Sequence, residues 1–569
     1  MTRVAMVGFD AAELDLVEPM LDEGKLPNLA RMREQGVWAR LDDSLAYRHG
    51  TIFPQFLFDR RAALGADWED IGFDGSTYVA YQRNASMYGA RVPFFNRTAD
   101  RTTIAFDVPA MCLGHAPRAV EVIGWGASAP RYPRTSRPKG LLREIDATFG
   151  PHPAWGDEYE VGWWGRARIE VFVDGLVAGL RRRVEISRWL QARFADWEMF
   201  VTVWSEPHGA GEFLWHALCP DHPLVGVVEG GWLRGQLERV YVALDEALAE
   251  FAAALPPDCA LLAFAPYGIE VGSGDAASIA LLPELLHRWQ FGEALLRSRQ
   301  LAEWSSAGLP VVVPEADQDW HMAMDRLWVG PPTAPAGTGW AGTRARLRRF
   351  VNSPAGTVRS ARDQRSTPGS GVLGSEIPGE SHLRASDIAR RPSAPMSWLF
   401  TDRYRTYWPT MSAFVLPTAR DAVVRVNLRG REARGTVAPA DYGAVLRDVE
   451  ELVSACDNPR TGLPVAAEFV RLRTDPYDAS GPYGDLLIRW NGPVDAFVHP
   501  RHGLVGPVPL HRTGAHSPHG FVVVTGPGIG RGDLGTRSVL DLPATALALL
   551  GERADGSSGM PLPLDGTGP

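Results

Sequence analysis

The sequence predicts an α/β fold: a doubly wound, mostly parallel sheet sandwiched by helices, with an inserted smaller α+β subdomain. Three observations carry this. Short, wholly apolar runs bounded by turn residues recur through the first half, and strands covered on both faces read that way. Long amphipathic segments separate them, as the crossovers between parallel strands require. Late in the chain a second cluster of short strands around one helix precedes a final buried run, "GFVVVTGPGI".

"RVAMVGFD" is the first strand, and "LDLVEPMLDEGKLPNLARMREQG" reads as helix, turn and helix. "TTIAFDVP", "AVEVIGWG", "MFVTVWSE" and "CALLAFAPYG" are further strands, with amphipathic helical segments at 166–195 and 234–255 between them. The stretch 330–395 is rich in Pro, Gly, Ser and Arg without periodicity, which predicts a long surface excursion. "AVVRVNL", a helix at 440–456, "PVAAEFVRLR" and "DLLIRWNG" make the smaller subdomain, and a last helix is expected near 541–550. The expected organisation is therefore a core over 1–329, the excursion 330–395, the subdomain 396–495, and a return to the core over 496–569.

At 569 residues the chain exceeds what one simple core accommodates. A net charge of -9 argues against nucleic acid or an anionic membrane as partner. Of the 58 basic residues only Lys25 and Lys139 are lysines, leaving 56 arginines, a skew expected of a GC-rich bacterial genome. The four cysteines (Cys112, Cys219, Cys259 and Cys456) show no paired spacing, which predicts a reducing compartment and no zinc knuckle. With no run long enough to span a bilayer and a first strand beginning at once, the expected location is cytoplasmic.

In a doubly wound sheet, functional groups collect at the carboxyl ends of strands. Asp10 ends the first strand, and Ser205, Glu206 and His208 follow the strand at 199–204. Ala265, Pro266 and Tyr267 follow the strand at 260–264, and His516 precedes the one at 521–525. His208 and Glu212, four apart in "SEPHGAGEFLWH", share a helix face. Such pairs are common on solvated surfaces, so a metal grip needs further ligands from distant segments.

These pieces, in this order, resemble the alkaline phosphatase superfamily, in its type I phosphodiesterase/nucleotide pyrophosphatase branch. The resemblance rests on "VGFDAAELDLVEPMLDEGKLPNLARMREQG", "VVRVNLRGREARGTV", "YGDLLIRWNG" and "RTGAHSPHGFVVVTGPGIG", and is weakest across 330–395. It implies two divalent cations that activate a Ser or Thr nucleophile and clamp a phosphoryl group. On this resemblance His208 and Glu212 stand where the family has Asp and His, and His516 takes the C-terminal His position. Imidazole and carboxylate both ligate zinc or manganese, so Asp10, His208, Glu212 and His516 are the candidate ligands. The other half of the pattern is missing. A Ser-Asp-His-Gly loop is replaced by Ala265-Pro266-Tyr267-Gly268, and Asp10 alone does not hold a divalent ion. The expectation is therefore one ion instead of two, zinc or manganese, or none, the site then being a hydrogen-bonded polar cluster.

Two residues compete for the nucleophile position in "YRHGTIFPQFLFDR": Thr51, whose bland alternative is a helix cap, and His49. Tyr267 is a donor to a ligand anion or a buried, satisfied hydroxyl, and Asp275 a replacement ligand or a capping residue. Arg512 is a phosphate fork or one of many arginines. His216, His222, His499, His502 and His511, with Asn427, Arg431 and Glu432, read as functional or as structural. Two functions follow. One is a divergent single-metal hydrolase or group transferase acting on a small phosphoester or related ester. The other is a pseudoenzyme that keeps the fold as a binding or scaffolding module. A tailoring enzyme with unrelated chemistry is a third, weaker reading, and the sequence leaves the oligomeric state open.

Overall fold

The computed structural model describes residues 3–42, 51–62, 68–69, 71–82, 91–98, 100–111, 113–114, 116–126, 134–155, 165–272, 274–298, 311–313, 320–330, 399–418, 420–553 and 556–565. The excursion expected at 330–395 falls, except for Gly330, outside these residues, and so does His49.

The large sheet uses β1 (Arg3–Phe9), β2 (Val37–Asp42), β5 (Thr103–Phe106), β6 (Ala119–Ile123) and β7 (Thr135–Arg137). It is completed by β8 (Met199–Trp204), β9 (Cys259–Ala265), β18 (His519–Thr525) and β19 (Gly532–Arg537). Their order is β19-β2-β18-β9-β1-β8-β5-β6-β7. From β9 to β6 every neighbouring pair is parallel, which explains why these strands are apolar on both faces. β18 runs antiparallel to both β9 and β2. Its amino end therefore lies at the same edge of the sheet as the carboxyl ends of β1, β8 and β9.

Helices flank the sheet: α1 (Leu14–Asp22), α2 (Pro27–Gln35), α3 (Ile52–Phe58), α4 (Leu141–Phe149), α5 (Arg166–Arg193), α6 (Glu206–Leu214) and α7 (Gly230–Ala253), while α8 (Leu282–Phe291) packs on the sheet of the smaller unit. The long pair α5 and α7 pack together, and α6 packs on both. Aromatic side chains link the strands to one another, Trp38 stacking on Phe521 at 5.1 Å and Phe9 bridging Trp204 and Phe521, and Phe251 of α7 ties the cover to the sheet through Phe200 and Trp204. The final predicted helix forms at Asp541–Leu549.

The smaller unit is a four-stranded antiparallel sheet, β11 (Ala413–Leu416), β12 (Ala422–Val426), β14 (Leu486–Trp490) and β13 (Ala466–Arg471), covered by the helix Tyr442–Ser454. The "VNLRGRE" segment braces it. Arg425 Nε donates to Glu432 Oε1 at 2.7 Å, and Arg431 reaches Glu432 at 2.9 Å and Asp485 at 2.7 Å. The side-chain amide of Asn427 donates to the Met411 carbonyl. Arg425, Asn427, Glu432 and Asp485 are buried and Arg431 is half-buried, and these bonds hold the subdomain's own segments together.

Among the described residues there are also three two-stranded ribbons: β3 (Ile71–Asp74) with β4 (Val79–Gln82), β10 (Gly268–Val271) with β17 (Gly514–Ser517), and β15 (Phe497–His499) with β16 (Gly503–Val505). Among the described residues no helix is long and apolar enough to cross a membrane.

Candidate metal centre

Three elements converge at the edge formed by the ends of β1, β8 and β9. β8 ends at Trp204, and Pro207 in the first turn helps to start α6, since proline loses nothing where the N–H is an orphan. One turn apart on α6, His208 and Glu212 project from one face. β9 ends at Ala265, and the chain turns through Pro266 and Tyr267 into β10. β10 pairs with β17, placing Ile269 opposite His516.

Two glycines let α6 and β17 touch. A Cβ on Gly514 would lie 2.2 Å from the Gly211 carbonyl oxygen, and one on Gly211 would lie 2.7 Å from the Ile269 side chain. Beside them the Thr513 N–H donates to the Glu212 carbonyl at 2.8 Å. This contact draws His516 to the α6 residues from more than 300 positions away.

The separations are short. His208 Nε2 lies 2.9 Å from His516 Nε2 and 3.3 Å from Glu212 Oε1, and His516 Nε2 lies 3.8 Å from the same oxygen. His208 and Glu212 are buried and His516 is half-buried. A tetrahedral zinc ion with bonds of about 2.0–2.1 Å sets its donors roughly 3.3 Å apart. The observed separations bracket that value, and two imidazoles with one carboxylate are an ordinary donor set for such an ion. The residues present fit a single divalent cation.

Glu212 has a second companion. Arg512 Nη1 donates to Glu212 Oε1, the oxygen that faces both imidazoles. The same guanidinium lies near Asp275, whose Oδ2 is 3.9 Å from Arg512 Nε and 3.0 Å from His511 Nδ1. Burial holds the His511 imidazole below its ordinary pKa, against the opposing pull of Asp275. Arg512, offered by the sequence as a phosphate fork, is here a buried partner of Glu212.

Asp10 lies one step further along. The Tyr267 hydroxyl donates to Asp10 Oδ1 at 2.5 Å, and the Tyr267 ring packs on His516 with centroids 4.6 Å apart. Phe53 meets the same tyrosine ring edge-on at 5.9 Å, bringing the amino end of α3 to the site. Thr51 is buried at the N-cap position of α3, but its side chain makes no cap bond; its Oγ1 accepts from Gln55 Nε2 at 3.0 Å.

Other candidate residues have partners of their own. Glu206 turns from the loop into a buried cluster in which Arg183 Nε and His152 Nε2 meet its Oε1 at 2.6 and 2.8 Å. Burial raises the Glu206 carboxyl, but Arg183 and His152 more than offset this and leave it below its ordinary value. Arg183 also reaches Asp107 and the Ser205 hydroxyl, so this cluster anchors the start of α6. The His216 and His222 rings lie 5.5 Å apart, and burial pushes them down to about 4 and about 3. His499 accepts the backbone N–H groups of Arg501 and His502, closing the β15–β16 turn.

One residue escaped the sequence reading. Glu13 Oε2 accepts the Ile269 N–H and the Ser517 hydroxyl, both at 2.7 Å, tying the end of β1 to the ribbon that carries His516. Its only signal in the chain is an acidic residue just after the first strand, in "FDAAELD".

No family model and no curated protein matches the chain. Solved structures do. Human ectonucleotide pyrophosphatase/phosphodiesterase 5 is 10% identical over 99% of this chain and 97% of its own, with a TM-score of 0.43. The murine protein in complex with AMP is 10% identical over 98% and 97%, at 0.42. Phosphonoacetate hydrolase from Sinorhizobium meliloti 1021, in complex with phosphonoformate, is 15% identical over 52% of this chain, at 0.33. In that last case the alignment spans 63% of the hydrolase, less than two thirds of its length. Superpositions this loose assign neither a family nor an activity to the chain.

Proposed function

We propose that this protein is a metal-dependent hydrolase or group transferase acting on a small phosphoester or related ester, with one divalent ion in place of two. The single observation that supports this reading is the meeting of His208 Nε2, Glu212 Oε1 and His516 Nε2 within 4.8 Å of one another. Zinc or manganese held by these three groups supplies Lewis acidity toward a substrate oxygen. The protein's own residues do the rest. Glu13 and the glycine contact between α6 and β17 keep His516 against His208. Tyr267, restrained by Asp10, packs against the His516 ring, so Asp10 is assigned to holding the tyrosine. Thr51, buried at the head of α3 near the Tyr267–Phe53 contact, is our candidate nucleophile.

The test is elemental analysis of untagged protein purified without chelators and incubated with zinc, manganese and magnesium, followed by a screen of aryl phosphate mono- and diesters. About one equivalent of retained metal is expected, with both metal and turnover lost in His516→Ala and turnover alone lost in Thr51→Ala. Absence of retained metal overturns the reading.

One observation favours a second reading, a binding module without turnover: the Asp10 carboxylate is engaged by a phenol and not held open for an ion. Retained metal together with tight binding of a phosphate-bearing small molecule, but no hydrolysis of any ester tested, would support it.

A further inference from the structure

We infer that Arg512 is a positioning residue that sets how tightly, and for which metal, the His208–Glu212–His516 site binds; this rests on the single-metal reading above. Three facts carry it. The guanidinium bonds Glu212 Oε1, the carboxylate oxygen that also faces both imidazoles. Arg512 and Glu212 are both buried, so the pair interacts with little screening. The backbone fixes the arrangement, because Thr513 N–H donates to the carbonyl of the same Glu212 and leaves Arg512 beside it.

The consequence is a ligand oxygen already shared with a cation. A guanidinium on that oxygen withdraws charge that a metal would use, and a buried positive charge beside the site repels a divalent ion. The carboxylate is thereby weakened as a donor while the two neutral imidazoles are left unchanged. Hard, oxygen-seeking ions such as magnesium lose the most from this, whereas zinc retains its two nitrogen ligands. Asp275 moderates the effect. It lies 3.9 Å from Arg512 Nε and is held there by His511 at 3.0 Å. Arg512 also orients Glu212, and losing such an outer partner ordinarily weakens metal affinity about 10–100-fold. In this buried pair the charge effect opposes the orientation effect and outweighs it, so removing the charge tightens binding.

Zinc and magnesium affinities are to be measured by competition with a chromophoric chelator for the wild type, Arg512→Gln, Arg512→Lys and Asp275→Asn, with thermal melting as the check on folding. Arg512→Gln is expected to bind zinc about 10-fold or more tightly than the wild type and to gain measurable magnesium binding. Arg512→Lys, which keeps the charge, stays close to the wild type. Asp275→Asn, which strips the guanidinium of its acidic neighbour, weakens zinc binding several-fold. Unchanged or weaker zinc binding in a folded Arg512→Gln overturns the inference, as does equal tightening in Arg512→Lys. If Arg512→Gln does not fold, Asp275→Asn decides: weaker binding supports the inference, and unchanged or tighter binding overturns it. Zinc binding by Arg512→Gln alone supports it while sinking the metal reading for the wild type. No binding by any of the proteins sinks both.

Discussion

The Ser517 hydroxyl donates to Glu13 Oε2 at 2.7 Å, across 504 positions of sequence. The same oxygen accepts the Ile269 N–H, and Glu13 Oε1 accepts the Asp15 N–H at 3.0 Å. One carboxylate thus joins the end of β1, the start of α1 and both strands of the β10–β17 ribbon. Burial pushes this carboxyl above its ordinary pKa, although the donated hydrogen bonds oppose the shift.

Glu13→Gln places an amide NH2 among groups that all donate. We expect a loss of about 2–3 kcal/mol, the desolvation cost of a buried donor left without an acceptor, together with weaker metal retention because His516 is adjacent to Ser517. Urea denaturation and metal analysis on the same preparation check this; an unchanged midpoint would refute the bracing role.

Gly268→Ala tests the same contact from the other side. Its Cβ would lie 2.0 Å from Glu13 Oε2 and 2.8 Å from Ser517 Oγ. Overpacking of this kind costs roughly 1–3 kcal/mol, and here it also displaces the Glu13 carboxylate. The double variant Glu13→Ala/Gly268→Ala should lose less than the sum of the two single variants, since removing the carboxylate makes room for the methyl group. Additive losses in a double-mutant cycle would count against this packing.

Arg183→Met removes a fully buried guanidinium from Glu206, Asp107 and Ser205. Leaving two carboxylates without their cation costs about 3–5 kcal/mol. Because Ser205 precedes α6, hydrogen exchange should increase first in the opening turn of that helix. A melting temperature within a degree of the wild type would show that the cluster is not a brace.

His216 and His222 give the fold an acid limit. Their folded-state pKa values, about 4 and about 3, lie below the ordinary 6.5 because both rings are buried. Between those values and 6.5 the unfolded chain binds protons that the folded chain does not. The stabilisation is therefore complete above about pH 6.5 and declines as pH falls toward 4, by on the order of 3 kcal/mol for His216 alone. Replacing the pair by His216→Phe/His222→Phe should flatten stability between pH 4 and 6.5; an unaltered acid limb in denaturation curves would contradict this.

Much of the fold was legible in the chain. "MFVTVW" and "CALLAFA" are apolar throughout because both faces of β8 and β9 are covered, and apolar runs of that length report burial before any contact is known. The spacing of His208 and Glu212 likewise announced one helix face. The partners of polar side chains were not legible, because a local pattern records whether a residue is polar and not which distant group it meets. Glu206 and Glu212 sit on the same short helix, yet one turns to Arg183 and the other to Arg512.

The sequence by itself determined the central strands, the long helices and the edge at which polar residues gather, since hydrophobic periodicity and turn chemistry are local properties. The outer strands β2, β7 and β19 were not legible in this way. Tertiary structure alone decided the distances at which His516 meets His208, that Arg512 shares Glu212, and that Tyr267 bonds Asp10. The Tyr267–Asp10 bond follows from the parallel pairing of β9 with β1. The two contacts made by the last quarter of the chain depend instead on the antiparallel course of β18, which returns that segment to the edge of β9, and on glycines that let two backbones touch. Long-range register of that kind follows from packing the whole sheet, and no short stretch of residues carries it.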